Sequence, residues 1–310
     1  MFFVGFAYQY LGFAQSVSAA ELVSSLDDEF AAFSASDSAE KTLSFSQTAT
    51  FRVYEGVLMS NGQSKTIDHA IFSPFEISGK DIYLATKSLD VPYRVGNLFY
   101  ITDGTTAYIL VYDSNTEQVV QDLQSSYNSL PCSFPVETVS TTQLSSDLQT
   151  LYELTAGYDT VRFIFFTSPD SYVDALSQTF SRYEILQVRS SLEDYSSGEV
   201  RYPDGKEVVY VTYPLLVGAM VASDATSYSY TFNHVYGKLA RVTDVYYEKA
   251  KFLSARLPEC EYAPIKTALT NYKTFVGDSG NSDSSSSLSA KMNVVEEANA
   301  NLGGDCPEVY

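Results

Sequence analysis

Between residues 142 and 188 the chain alternates two hydrophobic periods, and this alternation limits its possible folds more than any other feature. Leu144, Leu148, Leu151 and Leu154 recur at helical spacing, and Val161-Arg162-Phe163-Ile164-Phe165-Phe166 follows as an almost unbroken apolar run. Thr167-Ser168-Pro169-Asp170 reads as a helix start with proline just inside it, and Val173, Leu176 and Phe180 supply that helix's buried face. Tyr183-Glu184-Ile185-Leu186-Gln187-Val188 is a second strand. Helix, strand, helix, strand at these lengths implies an α/β unit whose parallel strands are covered on both faces. A turn at Tyr202-Pro203-Asp204-Gly205 and a third strand from Glu207 to Tyr213 complete it.

The preceding stretch has a different texture. Phe45, Ala49, Phe51 and Val53 alternate with Ser and Thr, the pattern of a half-buried strand. Asn61-Gly62 is a turn dipeptide, and Ile82–Thr86 and Asn97–Ile101 are further strands. Asp103-Gly104 is expected to turn the chain so that Ala107–Tyr112 returns as a hairpin. The last 75 or so residues read as helical. Leu239, Val242, Leu253 and Leu257 mark a helix ending before Pro258. Two more flank the polar loop Asp278–Ser287, the first carrying Leu269, Tyr272 and Phe275, the second Leu288, Met292 and Val295 and ending at Gly303-Gly304. Antiparallel packing of that pair would bring Cys260 and Cys306 together at its base as a disulfide, with Cys132 left over.

The first 40 residues contain no Lys or Arg. They open on Met1-Phe2-Phe3-Val4-Gly5-Phe6-Ala7, and Val23, Leu26, Phe30 and Phe33 then recur at +3, +4 and +3. One helix running from an apolar tip into an amphipathic stem is expected; the plainer alternative is a buried amphipathic helix. The expected fold class is therefore α+β in several parts. These are a long N-terminal helix (1–40), an antiparallel β module (41–130), a small α/β unit (131–232) and a C-terminal helical hairpin (233–310).

Candidate chemistry is sparse. Acids outnumber bases 38 to 19, a net charge of −19, and no basic stripe is present to meet a phosphate backbone, so nucleic acid is excluded as a partner. The same charge argues against docking on anionic headgroups and keeps a surface solvated. His69 and His234 lie near no nucleophile motif and read as structural or surface residues. Asp278, Asn281 and Asp283 lack the closing Glu of a calcium loop, and Asp27-Asp28-Glu29 reads as a solvated face. No catalytic residue, metal ligand or cofactor is assigned. Twenty-five Tyr and 19 Phe with no Trp suit wet, assembly-forming interfaces.

An apolar first segment without a basic leader, continuing as a stem into a β-rich head, resembles mature type IV pilin-like proteins, although Gly5 stands where pilins usually carry Glu. The stretches Pro92–Tyr100, Val245–Ala250 and Asn301–Tyr310 look similar to surface proteins of small-genome archaea. The resemblance implies a non-enzymatic, extracellular or cell-surface filament subunit. Its copies would assemble with one another through Phe2, Phe3, Val4, Phe6, Leu11, Phe13 and Val17, with a membrane as host before assembly. The rival expectation is an α/β enzyme or small-ligand-binding protein, its ligand at the carboxyl ends of the strands near Thr167, Ser168 and Arg189. A virion structural subunit is the third.

Overall fold

Strands such as Leu98–Thr102 and Ala107–Val111 are buried at every position, so their alternating side chains must enter two different cores. The computed structural model, which describes residues 19–128, 136–278, 285–302 and 306–310, shows how. The first sheet contains β1 (Ser38–Tyr54), β2 (Val57–Ser60), β3 (Gln63–Thr66), β4 (Ala70–Phe72), β5 (Ile77–Asp90) and β6 (Arg94–Thr102), in the order β3-β2-β1-β5-β6-β4. Two-residue turns connect its first three strands. Glu55-Gly56 and Asn61-Gly62 all take positive φ, the geometry that matches strand twist. The expected antiparallel module is corrected to a mixed sheet, because β4 pairs with β6 in parallel.

The second sheet contains β7 (Thr106–Tyr112), β8 (Val136–Ser140), β9 (Thr160–Phe165), β10 (Tyr183–Arg189), β11 (Gly198–Arg201) and β12 (Glu207–Tyr210). Its order is β12-β11-β10-β9-β7-β8, with β8, β7, β9 and β10 parallel. Four helices link the parallel strands: α2 (Glu117–Asn128), α3 (Thr141–Ser146), α4 (Leu148–Thr155) and α5 (Val173–Thr179). This is a doubly wound arrangement. The expected hairpin across Asp103-Gly104 does not form: β6 and β7 belong to different sheets. The Asp103 carboxylate accepts from the Ser78 and Thr105 N–H groups, and Gly104 takes φ +74°, which redirects the chain out of the first sheet.

The long N-terminal helix is corrected to a short one. The described helix, α1, covers residues 19–33. It ends there because Asn97 Nδ2 donates to the carbonyls of Phe33 and Ser36 and turns the chain into β1. Leu22, Val23, Leu26 and Phe30 do share one helix face, but they bury it against the first sheet of their own chain, beside Phe51, Ile82 and Phe99. Phe2, Phe3, Val4, Phe6, Leu11, Phe13 and Val17 lie outside the described residues, as do Cys132 and Gly303-Gly304.

The chain ends in α6 (Tyr213–Val221), α7 (Ala225–Arg256), α8 (Ala263–Asp278) and α9 (Ser285–Ala300). Tyr213 opens a helix rather than closing a strand because Pro214 sits at its first positions. From Leu215 onward α6 is buried on every side, wedged between the sheets, and its apolar composition all round follows from that position. Three cores result. The α1 face of the first sheet is one, and the α3–α5 face of the second, with Phe163, Phe165 and Leu176, is another. The largest joins the inner faces of both sheets to α2 and α6–α9.

Candidate functional site

The histidines at positions 69 and 234, the only two in the chain, line one cleft. Thr231 on α7 donates its hydroxyl to the Ile71 carbonyl of β4, which brings α7 against the first sheet. Along α7, Tyr230, His234, Lys238 and Arg241 then fall on one face at +4, +4 and +3. The Asp68-His69 pair precedes β4 and meets that face. Lys238 Nζ donates to the Asp68 carbonyl at 2.6 Å, and His234 Nε2 lies 3.2 Å from Asp68 Oδ1. The latter contact is close but misaligned, so Nε2 has no hydrogen-bond partner among the described residues. The cleft is small, with a cavity volume of about 20 Å³, and Glu55 and Gly56 of the β1–β2 turn also line it.

His69 completes a cluster of three rings, 5.6 Å from Phe30 and 5.3 Å from Phe99, which lie 5.3 Å from each other, with Nε2 4.0 Å from Asp27 Oδ1 of α1. Asp27 is already paired with Lys65 at 2.7 Å. Burial and then Lys238 lower the His69 pKa against the pull of Asp27 and Asp68. Burial and then Lys238 also lower that of His234, and burial lowers that of Lys238. Both imidazoles therefore favour the neutral form. A neutral, half-buried imidazole is equipped to accept or pass a proton. Among the described residues no group of three or more His, Cys, Asp or Glu side chains is placed to hold a metal ion.

The sequence-level ligand candidates fall elsewhere. Thr167 and Ser168 follow β9 at the carboxyl end of the parallel strands, beside the point where the connections from β7 and β9 diverge. Tyr195 covers this end: its hydroxyl donates to the Phe166 carbonyl, its ring sits 5.8 Å from Phe166, and its backbone holds φ +50°. Tyr213 fixes the same segment through the Asp194 carbonyl, 2.5 Å away. Ser168 bonds Asp170, and Arg189 pairs with Glu207 at 2.5 Å across β11. Ser168 and Arg189 thus have local side-chain partners, and the Thr167 carbonyl accepts from Gln187 Nε2. The α5 helix begins at Val173, past the expected proline start. In the acidic run, Asp27 meets Lys65 and Glu29 meets Lys41. Asn281 and Asp283 lie outside the described residues.

Part of the tyrosine content serves the interior. Hydroxyls of Tyr100, Tyr202, Tyr228, Tyr262 and Tyr272 donate to the carbonyls of Pro214, Ala219, Val209, Pro307 and Val91 respectively, at 2.6–3.0 Å. Each of these five rings is buried. Cys260 and Cys306 form a disulfide with a Cα–Cα distance of 5.8 Å, joining the chain before α8 to the segment after α9.

Comparison with family models, with curated proteins and with solved structures finds no match for this chain. The resemblance to pilin-like and archaeal surface proteins is corrected accordingly. The helix that was to form the stem is short, and its apolar face is already covered by its own sheet. No helix among the described residues is long and apolar enough to cross a membrane.

Proposed function

We propose that this chain is a non-enzymatic structural protein of an extracellular surface. The observation that carries the reading is the Cys260–Cys306 disulfide, since such bonds persist in oxidising compartments and are rare in a reducing cytosol. A set of buried side chain to backbone hydrogen bonds supports a structural role. Buried tyrosine hydroxyls and the Arg162 guanidinium bond backbone carbonyls, which locks the fold and leaves those groups unavailable for chemistry. The acidic, solvated surface suits contact with water on the outside of a cell. Residues 1–17 are the segment through which copies associate; the apolar face of α1 is spoken for by the first sheet.

Two measurements test this. Protein taken from its source cells with thiols blocked at lysis, then unfolded without reductant, should have one blocked thiol per chain, that of Cys132. Three blocked thiols would place the chain in a reducing compartment and overturn the reading. Removal of residues 1–18, which leaves α1 and its buried Leu22, Val23, Leu26 and Phe30 in place, should convert an associating protein into a monomer by sedimentation. Monomers from both forms would overturn self-association.

A further inference from the structure

We infer that His69 and His234 form an acid-sensitive clasp joining α1 and the segment before β4 to helix α7. The two imidazoles belong to elements far apart in sequence, and both face one cleft. Six charged groups surround the two imidazoles. Asp27 comes from α1, Glu55 from the β1–β2 turn, Lys65 from β3, Asp68 from the segment before β4, and Lys238 and Arg241 from α7. Three carboxylates stand against three cations while both imidazoles are neutral.

The carboxylates nearest the histidines are already committed. Asp27 pairs with Lys65 at 2.7 Å, and Asp68 lies within 3.8 Å of Lys238. Asp68 is also 79% exposed, so water screens what it offers a second cation. Two imidazolium charges would thus enter a balanced, half-buried cluster in which each must share its nearest carboxylate, His69 sharing Asp27 with Lys65 and His234 sharing Asp68 with Lys238. His69 would carry its charge against the touching rings of Phe30 and Phe99, beside the core that holds α1. Protonation consequently opposes the closed arrangement, and the contacts of residues 68–69 with α1 on one side and α7 on the other loosen as pH falls.

The test is deuterium exchange by mass spectrometry on the full chain between pH 7.5 and 5.0, with backbone rates corrected for their intrinsic pH dependence. Exchange at the imidazole Cε1 positions gives both histidine titrations in the same samples. Both should titrate below 6.5, and opening of residues 19–33 and 65–69 should rise about fivefold or more across that range while the second sheet stays protected. A His69→Gln, His234→Gln double variant should lose the rise. Titration of either histidine at or above 6.5, no rise, a rise spread over the whole molecule, or a rise retained in the double variant would each overturn the clasp. If the variant does not fold, the titrations and the location of the rise in the unaltered chain still decide.

Discussion

Arg162 and Glu184 stand directly opposite each other on the parallel strands β9 and β10, with Nη2 2.5 Å from Oε2. The arginine is buried, whereas the glutamate side chain is 37% exposed, so the pair crosses from core to water. Arg162 Nη1 also donates to the carbonyls of Met220 and Ala222 at 2.7 and 2.8 Å. Those carbonyls end α6, where the helix dipole favours a cation. Burial pulls the guanidinium pKa down, but Glu184 first and then the nearby Tyr108 and Tyr202 outweigh it and the net direction is upward. One side chain thus fastens the second sheet to the helix between the two sheets.

Replacing Arg162 with Met should cost about 2–4 kcal/mol of unfolding free energy, because the α6 carbonyls lose their donors while Glu184 can recover some hydration. Glu184→Gln keeps a hydrogen-bond acceptor and should cost about 1 kcal/mol. Urea denaturation of both variants checks the ordering. Equal costs would show that the ion pair, rather than the helix cap, carries the effect.

Gly218 on α6 has no room for a side chain. A Cβ there would lie 2.6 Å from Phe72 Cε2, whose ring is itself held between Tyr100 and Tyr228. Gly218→Ala is expected to destabilise by about 1–3 kcal/mol. Gly237, inside α7, has nothing within 4 Å of the same position, so Gly237→Ala should stabilise by about 0.5–1 kcal/mol. Opposite shifts in melting temperature are the expected result.

The disulfide spans 46 residues of sequence that include α8 and α9. Loop-closure entropy for that length gives about 4 kcal/mol as an upper figure. The double variant Cys260→Ser, Cys306→Ser should melt about 5–10 °C lower, with exchange protection lost first in α8 and α9. A uniform loss across the molecule would mean that these helices do not unfold separately.

Alkali should act through the buried tyrosines. Burial raises the pKa of Tyr108 to about 12 and those of Tyr100, Tyr228 and Tyr272 well above 10. The folded state therefore holds these protons more tightly than the unfolded state. Stability is full below pH 10 and is lost as pH rises through the raised values. Absorbance at 295 nm, undisturbed because the chain has no Trp, should show only part of the 25 tyrosines ionising near pH 10. The remainder should ionise in one cooperative step with unfolding.

The helical and strand periods of the second sheet were legible because each is local. Val161–Phe166 is apolar at every position but Arg162 because Ile164 and Phe166 enter one core while Phe163 and Phe165 enter another. The helix face of Val23, Leu26 and Phe30 was equally plain. Its destination was not, since the same stripe can face a neighbouring copy or the chain's own sheet. The residue before Gly104 misled for a related reason: Asp-Gly marks a turn, and only the bonds of Asp103 to Ser78 and Thr105 decide that the turn leads into another sheet.

The candidate site was hidden for the same physical cause. Asp68-His69 and Asn233-His234 are ordinary pairs in sequence, and no local spacing relates positions separated by 165 residues of chain. Sequence by itself determined the amphipathic periods, the turns that interrupt them, the charge balance and the absence of a basic surface, because these depend on neighbours a few bonds away. Tertiary structure decided which tyrosines enter the core, that α1 folds back on its own sheet, and that two solitary histidines meet. Those outcomes depend on which buried faces find each other, and hydrophobic burial fixes the amount of surface to be covered without naming its partner.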